Sequence, residues 1–309
     1  MIAARIAARL AAMAAVVAAT VTIAFLLVVA LPADPARALS GPRATPDTLA
    51  RIRAHYCLDR AVVIRYGCFV GRIGRGDLGT SLRSQRPVRA LVAERAAATA
   101  QLAAAALVIE LAIALPLAMW CAQRRRRGVE LALTVVHATP AFVLGPLLLY
   151  LVGYRLGWLP LGGRGDGGLA PIVLPALTLA LVALPATVRL VRDELVTALG
   201  SDHVRAARAR GLPPWRVAWR HALVPTLPTL VAHVGVEAGA LLGGAVVVEA
   251  VFAWPGLGRE AVLAIAALDL PVILGVTLVA ALAVTVASAA ADALTWWLDP
   301  RLGRAPPPR

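Results

Sequence analysis

Asp202-His-Val-Arg-Ala-Ala-Arg-Ala-Arg-Gly211-Leu-Pro-Pro-Trp-Arg-Val-Ala-Trp-Arg-His221-Ala-Leu is a basic island between two long apolar runs. Its residues predict two short helices. Gly211 is placed to end the first, because glycine takes the left-handed conformation that a helix C-terminus favours. Pro213 and Pro214 are placed to open the second, where a first-turn proline gives up no needed N–H. Trp215 and Trp219 stand four apart and share one face of that helix. An arginine-studded bracket beside apolar runs reads either as a docking device or as an amphipathic segment lying on a membrane.

The rest of the chain is built for lipid. Its 309 residues are 60% hydrophobic and 16% charged, with a mean hydropathy of +0.78. Soluble domains carry about 45–50% apolar and about 25% charged residues. All 31 basic residues are arginine, and the net charge is +14. Such a charge could suit nucleic acid, but the arginines gather at the ends of apolar runs, where they meet headgroups and fix orientation. Nucleic acid is therefore not an expected partner, whereas membrane lipid is. Three cysteines and five histidines show no CxxC or HExxH spacing, so no metal site is expected. No Walker-type loop is present, and no catalytic residue or cofactor is expected in this chain.

Taken in order, the chain predicts an all-α membrane protein with six transmembrane helices. Residues 1–31 form the first, with an uncharged run of 22 residues from Leu10 to Leu31, where about 20 suffice to span a bilayer. A cleaved signal peptide ending near Ala36-Arg37-Ala38 is the alternative, but signal cores run only about 7–15 residues. Residues 32–95 are polar and form an extracytoplasmic segment. Residues 96–298 form the core with five further spans: Ala96–Cys121, Leu131–Tyr154, Pro171–Val188, Thr226–Val248 and Val272–Trp297. The first of these ends at Arg124–Arg127. A glycine-rich loop follows Trp158. The basic island sits in a loop, 189–225, and residues 299–309 form a proline-rich tail.

Arginine counts orient these spans. With the N-terminus inside, the inner segments carry sixteen arginines and the two short outer loops carry three. Short loops with more arginine face the cytoplasm. Both termini and the island are therefore expected in the cytoplasm. The twelve arginines of 32–95 count little, because long segments cross regardless of charge.

Several stretches together resemble the permease subunits of bacterial ABC importers, in the dipeptide, oligopeptide and nickel group. They are Pro32-Ala-Asp34-Pro35, Gly76-Asp-Leu-Gly79-Thr-Ser81, Thr139-Pro140 with Phe142, and Arg205-Ala-Ala207-Arg-Ala-Arg-Gly211-Leu212. They continue with Arg220-His221-Ala-Leu, Glu249-Ala-Val-Phe252-Ala-Trp254-Pro255-Gly256-Leu-Gly258 and Asp299-Pro-Arg301. The resemblance runs nearly end to end. It implies the type I importer permease fold in the bacterial inner membrane. It also implies that Asp202, Arg205, Ala206, Ala207, Gly211, Leu212, Arg220 and His221 form a coupling element docked on an ATP-hydrolysing subunit. Small residues such as Ala206, Ala207 and Gly211 suit close backbone approach. The implied partners are a second permease subunit in a heterodimer, two ATP-binding subunits and a periplasmic or lipid-anchored solute-binding protein. The implied cargo is a peptide or a nickel chelate. A secondary carrier and an intramembrane enzyme are the alternatives. Inverted repeats would mark the first, and a catalytic pair within a span the second; neither is visible.

The chain departs from that pattern at His203, where tyrosine is common, and at Val224-Pro225, where arginine and asparagine usually stand. Cys57 and Cys68 replace a common glycine and a common aromatic residue. Both lie in the segment expected outside, an oxidising place, and a disulfide between them is expected, with two free thiols as the alternative. Cys121 is expected free. Charges within spans are costly and invite functional readings. Glu110 and Glu237 are candidates for the translocation path, Asp292 for a structural contact. His137 and His233 read as hydrogen-bonded structural residues.

Overall fold

The computed structural model describes residues 2–30, 36, 45–55, 57–123, 127–164 and 168–298. The expectations on 32–35, on Arg124–Arg126 and on 299–309 lie outside these residues. The chain is helical, and the extended pairing recorded among the described residues is a single antiparallel bridge between Thr80 and Pro87. The helices are α1 (Ile2–Ala30), α2 (Pro46–His55), α3 (Val62–Gly74), α4 (Val88–Gln123), α5 (Arg127–Ala138) and α6 (Ala141–Leu148). A π-helix, Leu149–Arg155, extends α6. Then come α7 (Ala170–Leu199), α8 (Asp202–Ala209), α9 (Pro214–Arg216), a second π-helix (Val217–Ala222) and α10 (Leu223–Gly244). The chain continues with α11 (Val246–Val251), α12 (Leu257–Ala266) and α13 (Leu270–Leu298).

Among the described residues α4, α7 and α13 are long and apolar enough to cross a membrane, and α5 with α6 makes a fourth if the pair is one span. That pair is bent by 103°. The sequence suggests one run from Leu131 to Tyr154, but it breaks at Thr139-Pro140. Proline disfavours the α conformation in the residue before it and cannot donate to the preceding turn. Thr139 closes α5, its hydroxyl donating to the Val135 carbonyl at 2.8 Å. The second run starts at Val88 rather than Ala96. The fourth continues unbroken through Leu199, so the first part of the loop expected at 189–225 is helix. Thirty residues make a rod about 45 Å long, longer than the ~30 Å hydrocarbon layer.

Two compact units emerge, Met1–Thr99 with Pro255–Thr285, and Ala100–Trp254 with Val286–Arg309. In the first, α3 packs on α1. Phe25 meets Tyr66 edge-on at 5.3 Å and stacks on Phe69 at 5.4 Å, and the Thr22 and Tyr66 hydroxyls are hydrogen-bonded at 2.7 Å. Val88, Leu91, Val92, Leu257, Ala264, Val272 and Val276 form its core. Buried polar groups join distant stretches. Ser81 donates to Asp269 at 2.7 Å, Arg95 pairs with Glu260 at 3.1 Å, and the Leu257 N–H donates to the Thr99 hydroxyl at 2.8 Å. The Gly76–Ser81 and Pro255–Gly258 motifs thus belong to one packed unit.

Cys57 and Cys68 are disulfide-bonded, with Cα atoms 6.6 Å apart. Cys57 has φ +56, a left-handed conformation that explains why glycine suits this position. A loop of this length contributes about 3 kcal/mol. Alkylation in denaturant without reductant should add a single group, on the buried Cys121, which is outside the disulfide; three added groups would exclude the bridge.

In the second unit α7 is central. Leu184, Val188, Val191 and Leu195 pack with Ala114, Ala118 and Met119 of α4, Leu133 of α5, and Leu223 and Leu230 of α10. Arg192 pairs with Glu130 at 2.8 Å and Arg189 donates to the Thr134 hydroxyl at 3.0 Å, tying α5 to the far end of α7.

Candidate functional site

The island folds as a bracket between α7 and α10. Ser201 is extended, and Asp202 enters the first turn of α8, where a carboxylate complements the helix dipole. Asp202 also pairs with Arg205. The helix places Val204 and Ala207 on its inner side, packed with Val217 and fully or nearly buried. Arg205, Ala206, Arg208 and Ala209 face outward and are exposed. The two alanines expected together at a partner surface are therefore separated: Ala207 is core, and Ala206 is surface.

Gly211 closes α8 with φ +72. Its N–H donates to the Arg208 carbonyl at 2.9 Å, and the Leu212 N–H to that of Ala207 at 3.4 Å. This pair of bonds is the Schellman arrangement that glycine favours. No atom lies within 4 Å of a Cβ built on Gly211, so the requirement for glycine within this chain is conformational.

Pro213 is extended and Pro214 opens α9, as the sequence suggests. The helix it opens is not a short one. α9, the π-helix and α10 run on without a break from Pro214 to Gly244. Pro225 has no N–H to offer the carbonyl one turn back. That carbonyl, at His221, accepts instead from His203 Nε2 at 3.0 Å. Two departures from the family pattern thus bear on one carbonyl: Pro225 cannot donate to it, and His203 does, fastening α8 to the long helix. Trp215 and Trp219 are exposed, with the Arg216 guanidinium 5.3 Å from the Trp215 ring centre. Arg220 is exposed and His221 half-buried.

The motif that starts at Glu249 is buried. Glu249, Phe252 and Trp254 are 0%, 1% and 3% exposed. The Trp254 N–H donates to the Glu249 carbonyl at 2.8 Å, and Ala253 takes φ +51 to end α11. The Gly163 N–H donates to the Phe252 carbonyl at 2.8 Å, while a Cβ on Gly162 would come within 2.6 Å of that oxygen. Pro255, Gly256 and Gly258 lead into α12. The Arg95 guanidinium approaches the Pro255 carbonyl at 3.5 Å.

Glu110 and Glu237 come together with two residues from other turns and helices. Thr187 of α7 donates to Glu110 of α4 at 2.5 Å and lies 2.9 Å from His233 Nε2 of α10. His233 Nε2 is 3.8 Å from Glu237, whose carboxyl also reaches Glu110. Glu110 is 1% exposed and Thr187 fully buried. Spacing along any single helix could not reveal this set, because its members come from three helices. Among the described residues, no three acidic, histidine or cysteine side chains gather as a metal site.

Two family descriptions match the chain. Residues 111–304 match the binding-protein-dependent transport system inner membrane component, and residues 2–103 match the N-terminal part of such components. The chain is 36% identical to a probable D,D-dipeptide transport system permease protein, DdpB, of Escherichia coli K12, covering 91% of this chain and 92% of that one. It is 36% identical to the glutathione transport system permease protein GsiC of Salmonella paratyphi A, over 81% and 83% of the two chains. It is 32% identical to the dipeptide transport system permease protein DppB of Lactococcus lactis, over 91% and 93%. In fold it matches a chain of the inward-facing MetNI methionine ABC transporter with a TM-score of 0.55. The identity there is 19%, covering 69% of this chain and 98% of that one. The chain therefore belongs to the binding-protein-dependent transport system inner membrane components: it is a multi-pass inner-membrane permease subunit of an ABC importer.

Proposed function

We propose that the bracket is the coupling element on which a separate ATP-hydrolysing subunit docks. The exposed face of Arg205, Ala206, Arg208 and Ala209, ended by Gly211, carries the reading. It offers small residues and positive charge on a support fixed to two long helices. Asp202, Leu212, Arg220 and His221 frame it, and Ala207 supports it from behind. Arginine placement argues for a cytoplasmic position of this face. α1 and α10, of 29 and 22 residues, are the proposed further crossings beside α4, α5–α6, α7 and α13; six would put both termini on one side, and the arginine placement argues that this side is the cytoplasm.

One permease encloses only half of a path, so a related second permease completes it as a heterodimer. Two ATP-binding subunits close on ATP and move the paired brackets. A periplasmic or lipid-anchored solute-binding protein delivers cargo to the outer face, including the 32–95 segment. Because relatives are named for dipeptide, D,D-dipeptide and glutathione transport, a peptide-like solute is the proposed cargo in preference to a nickel chelate. Ala206→Cys, in a Cys121→Ala background and labelled with benzophenone-maleimide, should photo-cross-link to the ATP-binding subunit. Buried Ala207→Cys should not. A cross-link from neither, in an assembled and active transporter, would remove the assignment.

Within the membrane, Glu110 acts as a tie between helices and Glu237 faces the path. Support comes from the near-complete burial of Glu110 on Thr187, against 13% side-chain exposure for Glu237. Glu110→Ala should lower stability by about 1–3 kcal/mol, because the Thr187 hydroxyl loses its carboxylate acceptor and keeps only His233. Glu110→Gln should keep most of that stability. Equal melting temperatures for Glu110→Ala and the parent would show that the tie does not matter.

A further inference from the structure

Among the described residues, nothing covers one face of α3. By helical spacing, Tyr66 and Phe69 share the side that packs on Phe25, while Arg65 and Arg72 stand on a flank. The remaining face carries Val63, Ile64, Gly67, Val70, Gly71 and Gly74, all exposed and none able to hydrogen-bond through a side chain. Val63 is 82% and Ile64 51% exposed. No atom lies within 4 Å of a Cβ built on any of the three glycines.

We infer that this face lies in the outer leaflet of the membrane, with its branched side chains among the acyl chains and Arg60 and Arg75, at the two ends of the helix, at the lipid phosphates; Arg72 is held by Asp77 at 2.9 Å. The inference rests on the proposed orientation, which puts 32–95 outside. Depth is the first support. Thr22 and Phe25 lie eight and five residues before the end of α1 at Ala30, about 7–12 Å back along its axis. α3 is therefore fastened beside the last turns of an apolar helix, not beyond them. The disulfide from Cys68 to Cys57 fastens the helix to the turn that precedes it.

Charge is the second support. Arg60 precedes the helix and Arg75 follows it, and both are exposed. An uncharged face bordered by arginines is the pattern of helices that lie along an anionic lipid surface. A soluble binding protein fits less well. It would have to find this apolar face bare in water before every encounter.

The test uses the assembled transporter, with Cys121→Ala, in phosphatidylethanolamine–phosphatidylglycerol vesicles. Nitroxide labels go on Val63→Cys, Val70→Cys and, as the water-facing reference, Ser84→Cys. Ser84 is exposed in the same outer segment. Labels at 63 and 70 should collide several-fold more with oxygen, relative to a water-soluble nickel chelate, than the label at 84. Chelate access equal to that at 84 would overturn the inference in favour of a surface in water. Little collision with either reagent would overturn it in favour of packing against the second permease. The orientation is tested separately, by a membrane-impermeant maleimide added outside spheroplasts. Failure to label Ser84→Cys would defeat the orientation, whatever the collision result.

Discussion

Gly211→Trp should insert normally and lose at least roughly tenfold in ATP-driven uptake, equal to about 1.4 kcal/mol of lost docking free energy. Gly211 has φ +72 and open space around its missing Cβ. Any side chain there carries a backbone penalty of about 1–2 kcal/mol, which is small beside a fold stable by about 5–15 kcal/mol. Gly211→Ala isolates that penalty and should keep most of the uptake. The indole adds bulk on the exposed side, where the partner is proposed to sit. Uptake in reconstituted vesicles and co-purification of the ATP-binding subunit should fall together. Undiminished uptake by the tryptophan variant would refute docking at this surface.

Gly235→Leu should have the largest effect on folding. Gly235 of α10 faces Ala291 of α13 so closely that a Cβ on the glycine would overlap the alanine methyl and lie 3.2 Å from its Cα. Small residues allow such approach between membrane helices, where there is no water to drive association. A leucine must push the helices apart, and overpacking of this kind costs about 1–3 kcal/mol or more. The fraction of monodisperse protein in detergent and its melting temperature should both drop sharply. Ala291→Gly should partly rescue Gly235→Ala, since it removes the methyl but not the backbone. A parental melting temperature for Gly235→Leu would show that the two helices are not held at this distance.

Much of the architecture is legible because its causes are local. Apolar runs mark α1, α4, α7, α10 and α13, and Gly211 with Pro213-Pro214 marks the turn of the bracket. Pro140 is equally visible, yet the apolar residues on either side hide the break, because hydropathy does not depend on helix direction. The separation of Ala206 from Ala207 needs the helix phase, which only the packing of Val204 on Val217 settles. The meeting of Glu110 with Thr187 and His233 depends on three helices and leaves no spacing to read. Pro225 looks like the start of a span. Its effect, however, is to free the His221 carbonyl for His203, eighteen residues earlier.

That contact has a mechanical consequence. The bracket is fixed at one end to the 30-residue rod α7 and at the other to the helix that runs from Pro214 to Gly244. A torque applied to it is shared by both arms of a fork. Turning a rod about 45 Å long by roughly 10° sweeps its far tip through about 8 Å. Pro175 and Pro185 lie within α7, where each missing N–H leaves one helix hydrogen bond unmade, the condition under which helices bend. Stiffening those two joints would change how far a given stroke reaches without altering the surface that receives it.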